Sequence, residues 1–278
     1  MNFTDIAYHK GDGVAEIRLN RPDSRNPISA NPGGTRDQIV AALIDAEGDS
    51  SVGAVLVSGA GSCFSAGGDL AGNARRETAV EHFRFREDAD EFYRRIRISP
   101  LPLVAAVHGY CLGAGLILAA SCDLVLAAGS ARLGMPEGRI GMPGASHLVE
   151  LVGRQWAKFL MLTGELIDGR RACEIGLATV TVADDDLGAR SADLAARLAR
   201  MPRDAVMLNK RAIDAVADAA GTAAGRLAGH AHDVVTLEMS NRATAPDGRS
   251  FREIRDAEGV AGLKAARSAQ YEQPWLRP

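Results

Sequence analysis

Two glycine-rich stretches are where this chain could do chemistry with its backbone. From His108 to Asp123 it reads His-Gly-Tyr-Cys-Leu-Gly-Ala-Gly-Leu-Ile-Leu-Ala-Ala-Ser-Cys-Asp. The apolar segment Leu103 to Val107 meets a glycine turn at Gly109, and the cluster Gly113 to Gly115 opens a short apolar helix. A strand feeding a helix N-terminus in this way leaves the first N–H groups of the helix without intrahelical partners, and glycine lets a ligand reach them. Negative charge is favoured there. The second stretch, Cys63-Phe64-Ser65-Ala66-Gly67-Gly68-Asp69-Leu70, is a small-residue loop whose backbone is equally approachable. Both are places to stabilise an anion.

Other chemistries find little support. His230 and His232 are two apart in a helical pattern, face different ways, and read as surface residues and a poor metal pair. No metal site is expected. His108 reads as a packing or hydrogen-bonding residue, and Asp69 and Asp123 as residues that hold loops and helix ends. The sequence contains no Gly-x-Gly-x-x-Gly after a strand, no Walker loop and no Gly-x-Ser-x-Gly elbow, which argues against dinucleotide, nucleotide and α/β-hydrolase chemistry. Cys63, Cys111, Cys122 and Cys173 show no metal-type spacing and read as small core residues.

Composition sets the class. A chain of 278 residues, 46% hydrophobic and 24% charged, can bury a full-sized core. With a formal net charge of -3, it lacks the basic footprint of a nucleic-acid binder. Lys10, Lys158, Lys210 and Lys264 are the only lysines among 32 basic residues, so phosphate contacts would fall to arginine. The longest apolar run, Cys111 to Cys122, is too short to span a bilayer, and the N-terminus has no signal-peptide pattern. No membrane partner and a cytoplasmic location are expected.

The elements that must carry the glycine sites run in order along the chain. Ile6 to His9 and Val14 to Leu19 alternate around Gly11-Asp12-Gly13 and predict a hairpin. Thr35 with Gln38 reads as a capping box ahead of a helix to about Glu47. Val52 to Val57 reads as a buried strand. Ala71 to about Asp90 is dense in charge and reads as a solvent-facing segment. A helix through Phe92, Tyr93 and Ile96 precedes the strand at Leu103, and Leu124 to Leu126 is a further strand. Arg132 to Glu137 reads as a strand end, with Pro136 setting Glu137 at the start of the next segment. Helical patterns run over Ser146 to Val152 and Gln155 to Thr163. After Leu177 to Val182 and a helix around Leu187 to Leu198, Met201-Pro202 reads as a boundary, with wholly helical sequence beyond it.

Asn20-Arg21-Pro22, the Phe64 to Leu70 loop, Gly109 to Gly115, Met135-Pro136-Glu137, Pro143-Gly144-Ala145 and Leu162-Thr163-Gly164 occur in that order. Together they resemble the crotonase superfamily of enoyl-CoA hydratases and isomerases, over roughly residues 6 to 182 and more weakly at Glu258-Gly259-Val260. The resemblance implies an α/β fold, a crotonase-like spiral of β-β-α turns with two near-perpendicular sheets. An acyl-CoA-binding core over 1–201 and a helical trimerisation region over 202–278 are expected. It also implies a homotrimer or hexamer and an acyl-CoA thioester substrate. No separate cofactor is called for, coenzyme A being part of the substrate.

By motif position, the N–H groups of Gly68 and Ala114 would form an oxyanion hole for the thioester enolate, where losing one donor costs about 3 to 4 kcal/mol of transition-state stabilisation. The resemblance also puts Ala66, Ile117 and Arg25 against the substrate. Leu263 and Lys264 fall where the family closes over coenzyme A from a neighbouring subunit, with leucine replacing the usual aromatic. Hydratases of the family use two glutamates. The second is Glu137; the first would fall at Ile117, one turn after Ala114 on the same helix face. A single acid meets the requirement of an isomerase moving a 3-enoyl double bond to the 2 position. An apolar Ile117 should also raise the pKa of Glu137. The loop after Ala145 is shorter than in family hydratases, so His147 or Glu150 is a candidate replacement acid, although both read first as solvated or capping residues. The alternatives are therefore a hydratase or hydrolase of an unusual acyl-CoA, or an acyl-CoA-binding protein without catalysis.

Overall fold

The computed structural model describes residues 2–276 except Arg75, Pro143, Asn241, Gln270 and Glu272, and, for Ala145, Ser146, Thr222, Ala223, Arg226 and His230, the backbone alone. The Pro143 part of one motif, the side chain of Ser146 and that of His230 therefore lie outside the described residues.

The strands in chain order are β1 (Ile6–Gly11), β2 (Val14–Leu19), β3 (Ala54–Gly59), β4 (Leu103–Val107), β5 (Tyr110–Leu112), β6 (Leu124–Ala128), β7 (Arg132–Gly134), β8 (Leu166–Asp168) and β9 (Val180–Val182). Six of them form one sheet in the order β1-β2-β3-β4-β6-β9, antiparallel at β1–β2 and parallel from β2 onward. The hairpin turns at Asp12 and Gly13, both with positive φ, as a two-residue primed turn requires. The parallel strands are continuous apolar runs because both faces are covered: β4 is buried at every position, and β3 at its first four. A second sheet, β5-β7-β8, is built from three-residue strands beside the glycine stretch.

The helices are α1 (Thr35–Gly48), α2 (Ala79–Arg97), α3 (Ala114–Ala120), α4 (Val149–Thr163), α5 (Gly169–Glu174), α6 (Leu187–Ala199), α7 (Arg203–Ala219), α8 (Thr222–Ser240) and α9 (Phe251–Ser268). This is the α/β crotonase-type architecture that the motifs implied. Several expectations are corrected in detail. The helix at Thr35 forms without the expected capping box: Gly34 is its N-cap, Thr35 Oγ1 donates to Asp5, and Gln38 Oε1 accepts from the N–H groups of Thr4 and Asp5. These two side chains tie down the N-terminal segment instead. The charged 71–90 stretch is not all solvent-facing. Thr78 and Glu81 make a capping box that starts α2, and His82, Arg86 and Ala89 are buried on its inner face. Ser146 to Val152 is a 3-10 turn (Ala145–Leu148) running into α4, which kinks at Gly153 (φ 69°, ψ 167°). After Pro202 the helices are interrupted by a bridge between Thr244 and Ser250. Among the described residues, no helix is long and apolar enough to cross a membrane.

Candidate active site

The loop over residues 63–69 is fixed by backbone hydrogen bonds on both sides. Phe64 N donates to His108 O, Ser65 N to Tyr110 O and Leu112 N to Ser65 O, which lays the loop along β5. On its other side Ala66 N donates to Arg25 O, Ile28 N to Gly67 O and Asp69 N to Ile28 O. In this parallel bridge Gly67 and Asp69 face Ile28, so the N–H of Gly68 between them points the other way. It finds no acceptor among the described residues. Buried Asn26, held at φ 52°, staples the loop: its Nδ2 donates to Ala60 O and Cys63 O, and its Oδ1 accepts from Arg21 N. Ser65 Oγ donates to Asn26 O and accepts from Gly67 N.

Gly113 (φ 50°) turns β5 into α3, and Ala114 is the first residue of that helix, so its N–H has no intrahelical acceptor. The two glycine sites meet here, since a Cβ built on Gly67 would lie 4.0 Å from Ala114 N. A Cβ on Gly68 would meet nothing within 4 Å: that position opens onto free space. Two unpartnered N–H groups thus share one cavity, an arrangement suited to a developing oxyanion.

Glu137 lies in the 3-10 turn Pro136–Ile140, which Arg139 anchors by donating to Thr163 O and to Glu165. Its carboxylate rests against Gly113, where a Cβ would come within 2.7 Å of Oε1, so only glycine leaves it that place. Burial pushes the Glu137 carboxyl up to about 7, while its own backbone N–H, Arg267 and Arg86 pull the other way. An acid poised there both accepts and returns a proton near neutral pH.

These groups line an inner cavity of about 300 Å³ that joins an outer cleft of about 1320 Å³; Ala66, Gly68 and Leu112 line both. The sequence-predicted residues divide between them. Glu137, Ala114, Ile117 and Leu263 line the inner cavity, Arg25 and Lys264 the outer cleft, and Gly68 and Ala66 the neck. Ile117 is 5% exposed and faces the cavity. Leu263 and Lys264 sit on α9 and line the two cavities of their own chain. Burial, with Arg25 and Arg267 near, lowers the pKa of Lys264.

His147 and Glu150 are corrected. Neither lines the cavity. His147 is buried rather than solvated, its Nε2 3.1 Å from Asp90 and its ring edge-on to Tyr93, while Glu150 is exposed. Asp69 accepts from Gly72 N and pairs with Arg21 at 2.8 Å; burial opposes its charge, but these contacts hold its carboxyl below the usual range. Asp123 accepts from Leu103 N and Lys210 Nζ. His108 Nε2 lies 3.0 Å from Gly61 O, and His232 is exposed on α8.

Residues 9–246 match the enoyl-CoA hydratase/isomerase family. The chain belongs to that family. Over 220 residues it is 34% identical to echA8 of Mycobacterium leprae, named as an enoyl-CoA hydratase, covering 77% of this chain and 82% of that protein. It is 32% identical over 219 residues to the short-chain-enoyl-CoA hydratase of Clostridium acetobutylicum, with the same shares covered. The enoyl-CoA hydratase/isomerase structure from Xanthobacter autotrophicus Py2 superposes with a TM-score of 0.87 at 30% identity, over 97% of this chain and 99% of that one. An acyl-CoA thioester is accordingly the substrate class of this hydratase/isomerase-family enzyme.

Several residues of the site lie outside the motifs. Arg36, His82, Arg86 and Tyr93 line the inner cavity, and Tyr93 Oη donates to Ala114 O at 3.2 Å. Helical spacing on α2 could have found three of them, since His82, Arg86 and Tyr93 share the stripe of buried Ala89. Nothing in the local sequence marks Arg36.

Proposed function

We propose that the protein shifts the double bond of a 3-enoyl-CoA to the 2 position, with Glu137 as the sole proton carrier. The thioester oxygen accepts from the N–H groups of Gly68 and Ala114 at the neck, coenzyme A lying in the arginine-lined outer cleft and the acyl chain in the inner cavity. Glu137 removes a proton from C2, between the carbonyl and the double bond. The electron pair spreads over the thioester as a dienolate, held by the two N–H groups. The same carboxyl returns the proton to C4, leaving the double bond between C2 and C3.

The observation that carries this reading is the pairing of Glu137 with an apolar neighbour. One carboxyl, raised to about 7, lies against Gly113, and Ile117 occupies the cavity face where water would need a second acid. Water addition is the second reading, favoured by the names of the relatives. Incubating the protein with 3-enoyl-CoA and with 2-enoyl-CoA separates the two, followed by ultraviolet absorbance of the conjugated thioester. Conversion of the 3-enoyl substrate should fall at least about 100-fold in Glu137→Gln. Hydration of the 2-enoyl substrate at a comparable or higher rate would assign the enzyme to hydration instead. Binding of both without turnover would mark a non-catalytic acyl-CoA binder.

We further propose assembly into trimers or hexamers through the C-terminal helices. In support, Leu208, Ile213 and Val216 of α7 and Leu227, Val235 and Met239 of α8 are largely exposed.

A further inference from the structure

On the α2 side of the inner cavity two arginines and a histidine gather, and neither arginine has an ion-pair partner among the described residues. Arg36, in the first turn of α1, is 8% exposed, and its buried Nε has no hydrogen-bond partner. Its guanidinium lies over the rings of Phe85, Phe92 and Tyr93, at 5.1, 5.8 and 6.0 Å from their centroids. Arg76 stacks on the same Phe85 ring at 3.4 Å. His82 is equally buried, and neither ring nitrogen has a partner; burial and the nearby Arg76 lower its pKa, so it offers a neutral N–H rather than a charge. All three line the cavity.

Most other cations around the cavity have a partner; Arg267, on the Glu137 side, has a buried Nε without one. Arg86 pairs with Asp233 at 2.5 Å, Arg252 with Glu77 at 2.9 Å, and Arg255 donates to Leu70 O. No carboxylate comes within ion-pair distance of Arg36 or Arg76 among the described residues. Burying a cation without a counter-ion is costly, and contact with an aromatic face returns only part of that cost. The cluster is complete only when something negative enters the cavity. Coenzyme A phosphates do not fill this role if they occupy the outer cleft, on the other side of the neck.

Tyr93 fixes the distance. Its hydroxyl donates to Ala114 O and its ring faces Arg36, so the cluster lies one aromatic side chain away from the residue that carries one of the two N–H groups. A short acyl chain reaches as far. Resting on the proposed seat of the thioester at Gly68 and Ala114, we infer that the acyl group ends in a carboxylate bound by Arg36 with Arg76 and His82: the substrate is the mono-thioester of an unsaturated dicarboxylic acid. The terminal carboxylate takes no part in the proton transfer.

Saturated thioesters, which cannot be isomerised or hydrated, test this by calorimetry. Succinyl-, glutaryl- and adipyl-CoA are each compared with the methyl-ended acyl-CoA of equal chain length, on wild type, Arg36→Met and Arg76→Met. At least one carboxylate-ended thioester should bind tenfold or more tightly than its methyl-ended counterpart, and the gap should close in Arg36→Met and narrow in Arg76→Met. Arg76, half-exposed on a loop, supplies the answer if Arg36→Met does not fold. Equal or tighter binding of every methyl-ended thioester overturns the inference, as does a gap that survives both substitutions. The ligands cannot be isomerised or hydrated, so failure of the Glu137 isomerase reading leaves this result standing, and failure here leaves that reading untouched.

Discussion

Glu137 shows how a site can be legible by position yet not by environment. The Pro136 step and the apolar Ile117 announce one acid, and the structure adds that burial raises that acid to about 7. As a base it must be ionised, so kcat/KM for double-bond migration should rise with pH through about 7 and then level off. The same shift has a stability cost of the opposite sense. A carboxyl whose folded-state pKa is raised destabilises the fold progressively as pH climbs from its unfolded value to about 7. Glu137→Gln should therefore gain thermal stability over wild type at pH 8 and little at pH 5, as differential scanning calorimetry would show. Arg36 is the contrary case. An arginine beside a helix start reads as solvated, and only rings contributed by α2, far along the chain, bury it.

At the scale of elements, the glycine loop at 63–69 is positioned from outside itself. Asn26 makes three hydrogen bonds to the backbones of Arg21, Ala60 and Cys63. Asn26→Ala would strand these buried groups and should cost about 3 kcal/mol or more in urea unfolding. Because Gly68 rides on that loop, kcat should fall with it. The hairpin, the parallel strands and the helix after the second glycine cluster were readable, since each has a run long enough to show its period. Strands β5 and β8 have three residues each and carry no period; of the second sheet only β7 was legible, as the strand end at Arg132. Helix α2 was obscured because its outer face is so charged that only the Thr78–Glu81 cap marks its start.

At the scale of the whole molecule, the order of the motifs, more than any one of them, identified the architecture. The helices after Pro202 were legible as helices, but not the surfaces they present. Six large apolar side chains of α7 and α8 are more than half exposed, and sedimentation equilibrium should find a trimer or hexamer, reduced to monomer by Ile213→Asp with Val216→Asp. The cavity has a feature of its own at this scale. Its lining includes the pair Glu77–Arg252, which joins the segment before α2 to α9 and has both side chains about half exposed. Such an exposed pair adds little stability and weakens with salt. Under the proposed chemistry water is the competing reactant, and this contact ties together two of the segments that wall the cavity from it. The fidelity of the enzyme, migration against hydration, then becomes partly a function of ionic strength.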